Sequence, residues 1–388
     1  MPRVSRRAGS RALAAIGPHG KRGASPVSVL RASAPVFASL VLLLASSHAL
    51  TGTALAADPD YPAVVSGRAV ELPRDAGSHP AHRIEWWYVT GWLADRERRT
   101  HGFQVTFFRV RPGVGEDNPS SFAPRQVLFA HAAVADPGIG RLRHAERSAR
   151  EGFDLAYARE GRMDVRIDDW TLSEQDGRLE TAVTGSDFAL RLELEITQPV
   201  LLQGATGYSR KGSDALSASY YYSLPHLAVS GELAIEGRST PVTGEAWLDH
   251  EWSSQELDFE ARGWDWTGVN LDDGGALMAF QMRDAHGRAR WAAGTLRRPS
   301  GELTTFAPDE VAWTRLREWQ SPRTGIRYPV AWRLELGRRV FLIDPLIDDA
   351  ELDSRGSTGT IYWEGPARLL DADRQPIGRG YLELTGYR

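Results

Sequence analysis

Val242-Thr243-Gly244-Glu245-Ala246-Trp247-Leu248-Asp249-His250-Glu251-Trp252 alternates in character along its whole length. Successive side chains of an extended strand point to opposite faces, so Gly244, Ala246, Leu248, His250 and Trp252 share one face and Glu245, Trp247, Asp249 and Glu251 the other. The first face is small and apolar until it reaches His250, and it is assigned to the inside of a barrel. Glu85-Trp86-Trp87-Tyr88 divides in the same way. Glu85, Trp87 and Val89 share one face, while Trp86, Tyr88, Thr90 and Trp92 share the other. With one face inside a barrel, the second must cover something apolar, and a second domain is the natural candidate.

Working outward, the period of two persists and long helical patterns are hard to find. Ile84 to Leu93 and Gly102 to Val110 read as a hairpin closed by the charged turn Asp95 to Thr100. Further strands are expected at Val127 to Ala135, Asp164 to Leu172, Phe188 to Thr197 and Leu227 to Glu236, leading into Val242 to Trp252. After the polar stretch Ser253 to Glu260 the pattern restarts with Gly263 to Leu271, Ala276 to Arg283, Trp291 to Leu296, Val311 to Arg317, Val330 to Leu336, Arg339 to Asp344, Gly359 to Glu364 and Tyr381 to Tyr387. Many short, evenly spaced strands imply an all-β protein of sandwiches or antiparallel barrels. The break near Ser254 leaves each half with enough strands to close a barrel. The glycine-rich stretch Gly204 to Ser219 reads as a mobile loop.

The first residues are basic, with Arg3, Arg6, Arg7, Arg11, Lys21, Arg22 and Arg31 and no acidic residue before Asp58. An apolar run, Val36 to Ala45, and the small-residue sequence Ala54-Leu55-Ala56-Ala57 follow. This is the layout of an export signal, too short in its apolar part for an anchored span. The expected organisation is a signal peptide over 1–57, a first domain over 58–254 and a second over 255–388, in a soluble periplasmic or secreted protein. Without the signal, 39 basic residues face 50 acidic ones, a formal charge of −11, which disfavours nucleic acid as a partner. The chain has no cysteine, which removes disulfides, thiol nucleophiles, cysteine metal sites and lipidation together. Any Schiff-base chemistry after export would have to use Lys211, the one lysine left.

Two groups could carry chemistry. His250 beside Trp252 sits in a greasy barrel lining, where it serves either a site or a structural bond to a carbonyl or carboxylate. Asp265, in Gly263-Trp264-Asp265-Trp266, is flanked by two indoles. Burial there would favour the protonated acid of a proton donor, and pairing with an arginine is the alternative. No Gly-x-Ser-x-Gly elbow and no phosphate-cradling glycine loop appears. His79 and His82 lie three apart without helical periodicity, so no metal site and no cofactor is expected.

Glu85-Trp86-Trp87-Tyr88 with Thr90-Gly91, Gly102-Phe103-Gln104, Gly207-Tyr208-Ser209 with Lys211-Gly212, Ser219-Tyr220-Tyr221-Tyr222-Ser223, Trp247 to Trp252 and Gly263 to Trp266 occur in an order that resembles the carotenoid 1,2-hydratases and the related secreted AttH proteins. The resemblance implies two tandem lipocalin-like antiparallel β-barrels. It also implies acid-catalysed addition of water to an isolated alkene, with Asp265 as proton donor, His250 positioning or deprotonating water, and Trp252 with Trp264 or Trp266 facing the cation. Trp264, Trp266, Tyr222 and Trp87 are the expected ligand contacts. The His-x-Trp element matches directly, whereas the tyrosine expected beside the aspartate is replaced here by tryptophan. The leading expectation is therefore a hydratase-like protein acting on an isoprenoid or lipid-like ligand. The alternative is a non-catalytic lipid carrier at the membrane surface that works with an ABC exporter. The first requires His250 and Asp265 to meet at one cavity, and the second requires only the cavity.

Overall fold

A computed structural model describes residues 60–255 and 260–388. The expected signal peptide lies outside the described residues. Among those residues there is no α-helix, only the 3-10 turns Arg74–Ala76 and Pro308–Glu310. The first barrel comprises β1 (Ile84–Asp95), β2 (Thr100–Val110), β3 (Val127–Asp136), β4 (Arg141–Arg150), β5 (Ala156–Ala158), β6 (Asp164–Ile167), β7 (Trp170–Gln175), β8 (Arg178–Thr184), β9 (Phe188–Glu195), β10 (Leu201–Leu202), β11 (Tyr208–Arg210), β12 (Ala218–Ile235) and β13 (Arg238–Gln255). The second comprises β14 (Gly263–Leu271), β15 (Ala276–Arg283), β16 (Ala289–Arg297), β17 (Leu303–Phe306), β18 (Val311–Gln320), β19 (Arg327–Leu336), β20 (Arg339–Pro345), β21 (Glu351–Ser354), β22 (Thr360–Leu370) and β23 (Pro376–Leu384).

Every ladder is antiparallel. The first sheet runs β4-β3-β2-β1-β13-β12-β9-β8-β7-β6-β5, with β10 and β11 on β12, and β6 comes back against β3 and β4. The second runs β17-β16-β15-β14-β23-β22-β20-β19-β18, with β21 on β22, and β18 returns towards β16. Each sheet thus rolls towards closure, giving the tandem lipocalin-like architecture.

The long pair β12 and β13 is joined by Glu236-Gly237, both at positive φ (51° and 77°), the conformation that a two-residue hairpin between right-twisted strands demands. β12 begins earlier than the expected Leu227, at Ala218. Pro225 and the positive φ of His226 coincide with a register shift between Leu224 and Leu227, and this interruption of the alternation hides one strand behind a break. The run Asp164 to Leu172 is in fact two strands, reversed at Asp168, which has φ 54°. Gly204 to Ser219 is not simply a loop, since Tyr208–Arg210 pairs with β12. Strand β4, with five charged residues in ten, carries too many charges for a period-two reading to find it.

Three apolar clusters follow from the alternation. Trp87, Val89, Ala246, Leu248 and Trp252 fill the first barrel. Val269, Trp332, Trp363, Leu382 and Leu384 fill the second. The opposite faces of the same strands form the third, where Tyr88, Tyr221 and Trp247 of the first barrel meet Trp266, Phe280 and Tyr381 of the second. Large aromatic side chains buried in this way each contribute on the order of 2–3 kcal/mol. Gly268 makes the close seam feasible: a Cβ there would lie 2.7 Å from the Trp266 ring and 3.0 Å from that of Trp247.

Candidate functional site between the barrels

The interior of the first barrel is occupied by its own side chains. Trp87 and His250 face each other across β1 and β13, their rings stacked at 4.7 Å. His250 is fully buried. It lies 2.9 Å from Glu85 Oε1 through Nε2 and 3.1 Å from the Tyr222 hydroxyl through Nδ1. Arg109 donates to Glu85 Oε2 at 3.0 Å, and His79 Nδ1 lies 2.7 Å from Oε1. Burial opposes ionisation of Glu85, but Arg109 and the two imidazoles outweigh it and hold the carboxyl well below its usual range. Burial pushes the imidazole of His250 down to about 4, so it is neutral at neutral pH. His79, Glu85 and His250 offer ligand atoms within 4.8 Å of one another, a set able to hold a cation. In the structure they bond to each other, and Arg109 supplies the positive charge.

Asp265 points the other way, into the second barrel. Gln281 Nε2 donates to it at 2.7 Å, the Tyr387 hydroxyl at 2.8 Å, and Arg283 Nε lies at 2.7 Å. Burial raises its pKa, and Arg283 pulls it back. The expected meeting of His250 and Asp265 therefore does not occur, because β13 and β14 turn these residues into two different cores. Trp252, Tyr222 and Trp87 share the first core with His250. Trp264 and Trp266, one position either side of Asp265, face the seam instead.

At that seam lies a cavity of about 520 Å³ lined by both barrels. Its apolar walls include Trp86, Phe108, Trp264, Trp266, Phe280 and Met282, and its acidic groups are Asp249, Glu251, Glu364 and Glu383. This is the usual size and character of a small-molecule site. Asp249 and Glu251 come from the outer face of β13, while Glu364 and Glu383 are direct partners across β22 and β23. Lys211 also lines the cavity, with Nζ 2.6 Å from Glu251 Oε1 and over the Phe280 ring at 4.4 Å. The Ser219 hydroxyl donates to the same carboxylate. Arg262 and the exposed Arg388 complete the charged lining.

Asp249 accepts from the Tyr221 hydroxyl at 2.7 Å, the Ser223 hydroxyl at 2.6 Å and Trp247 Nε1 at 2.6 Å. Burial still dominates these bonds and pushes its pKa up to about 7. Burial likewise raises Glu383 to about 7, assisted by the charges of Asp249 and Glu251. Glu364 is 1 % exposed. Burial and the adjacent Glu383 drive its carboxyl well above the usual carboxylate range. Tyr88 donates to Glu364 Oε2 at 2.9 Å, whereas Oε1 has no hydrogen-bond partner among the described residues. Carboxyls placed together in a low-dielectric site cannot all ionise, so the cavity holds acidic protons at neutral pH.

Of the expected site residues, only Trp264 and Trp266 line this cavity. Asp249 and Glu251 were legible as the outer face of their strand. Glu364 and Glu383 were not legible, since they belong to strands far away in sequence whose register the local pattern does not give.

The AttH-like family profile matches residues 63–387, and the chain belongs to that family. A crystal structure of an AttH protein from Nitrosomonas europaea shares 51% identity over 84% of this chain and 100% of that one, with a TM-score of 0.79. Kievitone hydratase from Nectria haematococca shares the fold at 13% identity, covering 85% of this chain and 96% of its own, with a TM-score of 0.63. CghA, solved with Sch210972, does so at 15% identity over 86% and 96%, with a TM-score of 0.54. No curated protein matches the chain in sequence.

Proposed function

We propose that the chain binds a hydrophobic, unsaturated molecule in the cavity between its barrels and adds water to a carbon–carbon double bond by acid catalysis. The observation that carries this reading is the group of carboxyls with raised proton affinity, Asp249, Glu364 and Glu383, set among indole and phenol rings. Glu364 in its acid form gives its proton to one alkene carbon. The resulting carbocation lies against the Trp264, Trp266 and Tyr88 rings, whose faces attract positive charge. Water adds to the cation through oxygen and gives its surplus proton to the Glu383 carboxylate, so alkene and water leave as alcohol. A group titrating near 7 is suited to both taking and giving a proton. The reaction type agrees with the hydratase name borne by one fold relative, while an isoprenoid or lipid-like substrate, presented after export, rests on the apolar walls and the amino-terminal signal layout.

Native mass spectrometry of protein purified from its host would first reveal any hydrophobic ligand it carries. Incubation of that ligand with the protein in heavy-oxygen water should then add one labelled water, and Glu364→Gln should abolish the gain. A ligand returned unchanged by the unaltered protein would count against hydration and in favour of a carrier.

A further inference from the structure

Glu364 is 1 % exposed, and a row of protonatable side chains leads from it to the outside of the seam. On β3 and β4, His131 and Glu146 are direct cross-strand partners on one face. The turn between β21 and β22 places Ser357 over that pair. Its hydroxyl donates to Glu146 Oε2 and lies 2.9 Å from His131 Nε2, and its backbone N–H also donates to Glu146 Oε2 at 3.0 Å. On the other side of the ring, His131 Nδ1 is 2.7 Å from the Tyr362 hydroxyl. Tyr362 and Glu364 are two apart on β22, so they share a face, and the Tyr362 hydroxyl is near enough to bias the ionisation of Glu364. Glu364 Oε1, buried and without a partner, is the open end of the row. Glu146 and Ser357 are only part-buried, whereas His131 and Glu364 are 1 % exposed.

We infer that Glu146, Ser357, His131 and Tyr362 form a proton relay that connects solvent to the carboxyl of Glu364, and that His131 is a positioning residue acting through Tyr362. Each group in the row can accept on one side and donate on the other. A proton taken up by Glu146 passes to the Ser357 oxygen as the Ser357 proton moves to His131 Nε2. The Nδ1 proton of His131 moves to Tyr362, and the Tyr362 proton moves to Oε1 of the Glu364 carboxylate. One proton enters, one arrives, and the imidazole only exchanges tautomers without becoming a cation. Burial, which pushes His131 down to about 3, suits such a neutral ring. A Ser–His pair also invites comparison with a hydrolase nucleophile. Here, however, the Ser357 N–H is committed to Glu146, and the neighbouring N–H groups of Thr358 and Gly359 bond to Ser354 O, so none of the three is available as an oxyanion donor.

The inference rests on Glu364 being the acid of the proposed hydration, and its test separates the two. The infrared carbonyl band of a buried carboxylic acid, assigned by its loss in Glu364→Gln, is followed in the ligand-free chain after rapid mixing into D2O. The unaltered chain should show the band at neutral pH and shift it as the proton exchanges. His131→Phe and Tyr362→Phe should each slow that exchange at least tenfold with the band amplitude retained, and imidazole added to His131→Ala should restore part of the rate. Absence of the band from the unaltered chain would overturn the acid reading itself. A band that exchanges equally fast in folded His131→Phe and Tyr362→Phe would overturn the relay and leave the acid in place.

Discussion

Replacing Asp249 by Asn should stabilise the protein at both pH 5 and pH 8, and by about 2–3 kcal/mol more at pH 8 than at pH 5. In the folded chain Asp249 titrates near 7, against an ordinary value of 3.8, with burial as the main cause. The folded state therefore holds a proton between about pH 4 and 7 that the unfolded state has released. Stability falls as pH rises wherever the folded state binds more protons, so this carboxyl is neutral to stability at low pH and costs most above its folded pKa. From pH 5 to pH 8 the slope operates over about two pH units, worth about 2–3 kcal/mol at 1.36 kcal/mol per unit. Asparagine copies the protonated acid in shape. Its oxygen can accept from Ser223 and Trp247 as the carboxylate does, and the Tyr221 hydroxyl can turn to accept from its amide. His79, whose pKa is raised by Asp75 and Glu85 against burial, adds a loss of the same sign with rising pH, which is why the comparison must be made between the two chains. Urea unfolding at pH 5 and pH 8 measures it. Parallel pH profiles, or a variant that is less stable at pH 8, would refute the reasoning.

Other consequences are open to the same kind of measurement. Lys211→Met leaves Glu251 buried beside Ser219 without its cation, and breaking such a pair should cost about 3–5 kcal/mol in unfolding free energy. Glu85→Gln strands the buried guanidinium of Arg109 and should lower stability by a similar amount, while ligand binding, read by quenching of tryptophan fluorescence, survives in whatever remains folded. Gly268→Val pushes side-chain atoms into the Trp247 and Trp266 rings at the seam. The overpacking should cost about 1–3 kcal/mol and weaken binding, and unchanged affinity in the folded variant would argue against the seam as the site. Asp265→Asn should leave labelled-water incorporation within a few-fold of the parent, because Asp265 faces a different core; complete loss from a folded protein would return the acid role to it.

The fold was legible because the alternation is strong where a strand has two apolar duties. Gly263 to Leu271 and Ala276 to Arg283 have the expected ends, since both faces are buried and each boundary falls at a polar turn. The alternation failed where one face meets water and the other needs little bulk, as in Arg141–Arg150, and where a bulge shifts the phase, as at Pro225 and His226. The faces of β1 and β13 were also legible, and with them the position of Asp249 and Glu251. What could not be read was which face holds the cavity. His250 stands out in sequence because it is polar on an apolar face, yet Glu85 meets it only through the β1–β13 register, and that pairing joins residues 165 apart in the chain. The row from Glu146 to Glu364 is hidden for the same reason, as it alternates between strands of the two barrels.

Lipocalin-like barrels suggest a ligand held inside a barrel, but here the first barrel is filled by Trp87, Trp252, His250 and the Glu85–Arg109 pair. A dense interior gives up about 24 cal/mol for every Å³ of void opened within it, so room for a ligand is least costly where two separately closed surfaces face each other. The seam provides that room, and it also lets acids be contributed from opposite sides: Asp249 and Glu251 from one barrel, Glu364 and Glu383 from the other. Neither barrel alone would enclose all four. Bringing the barrels together desolvates the carboxyls, and desolvation is the leading cause of the raised proton affinity of Asp249, Glu364 and Glu383. The same contact that forms the cavity therefore makes its acids, and a substitution that loosens the seam, even one distant from every carboxyl, should lower their proton affinity along with the binding of an apolar ligand.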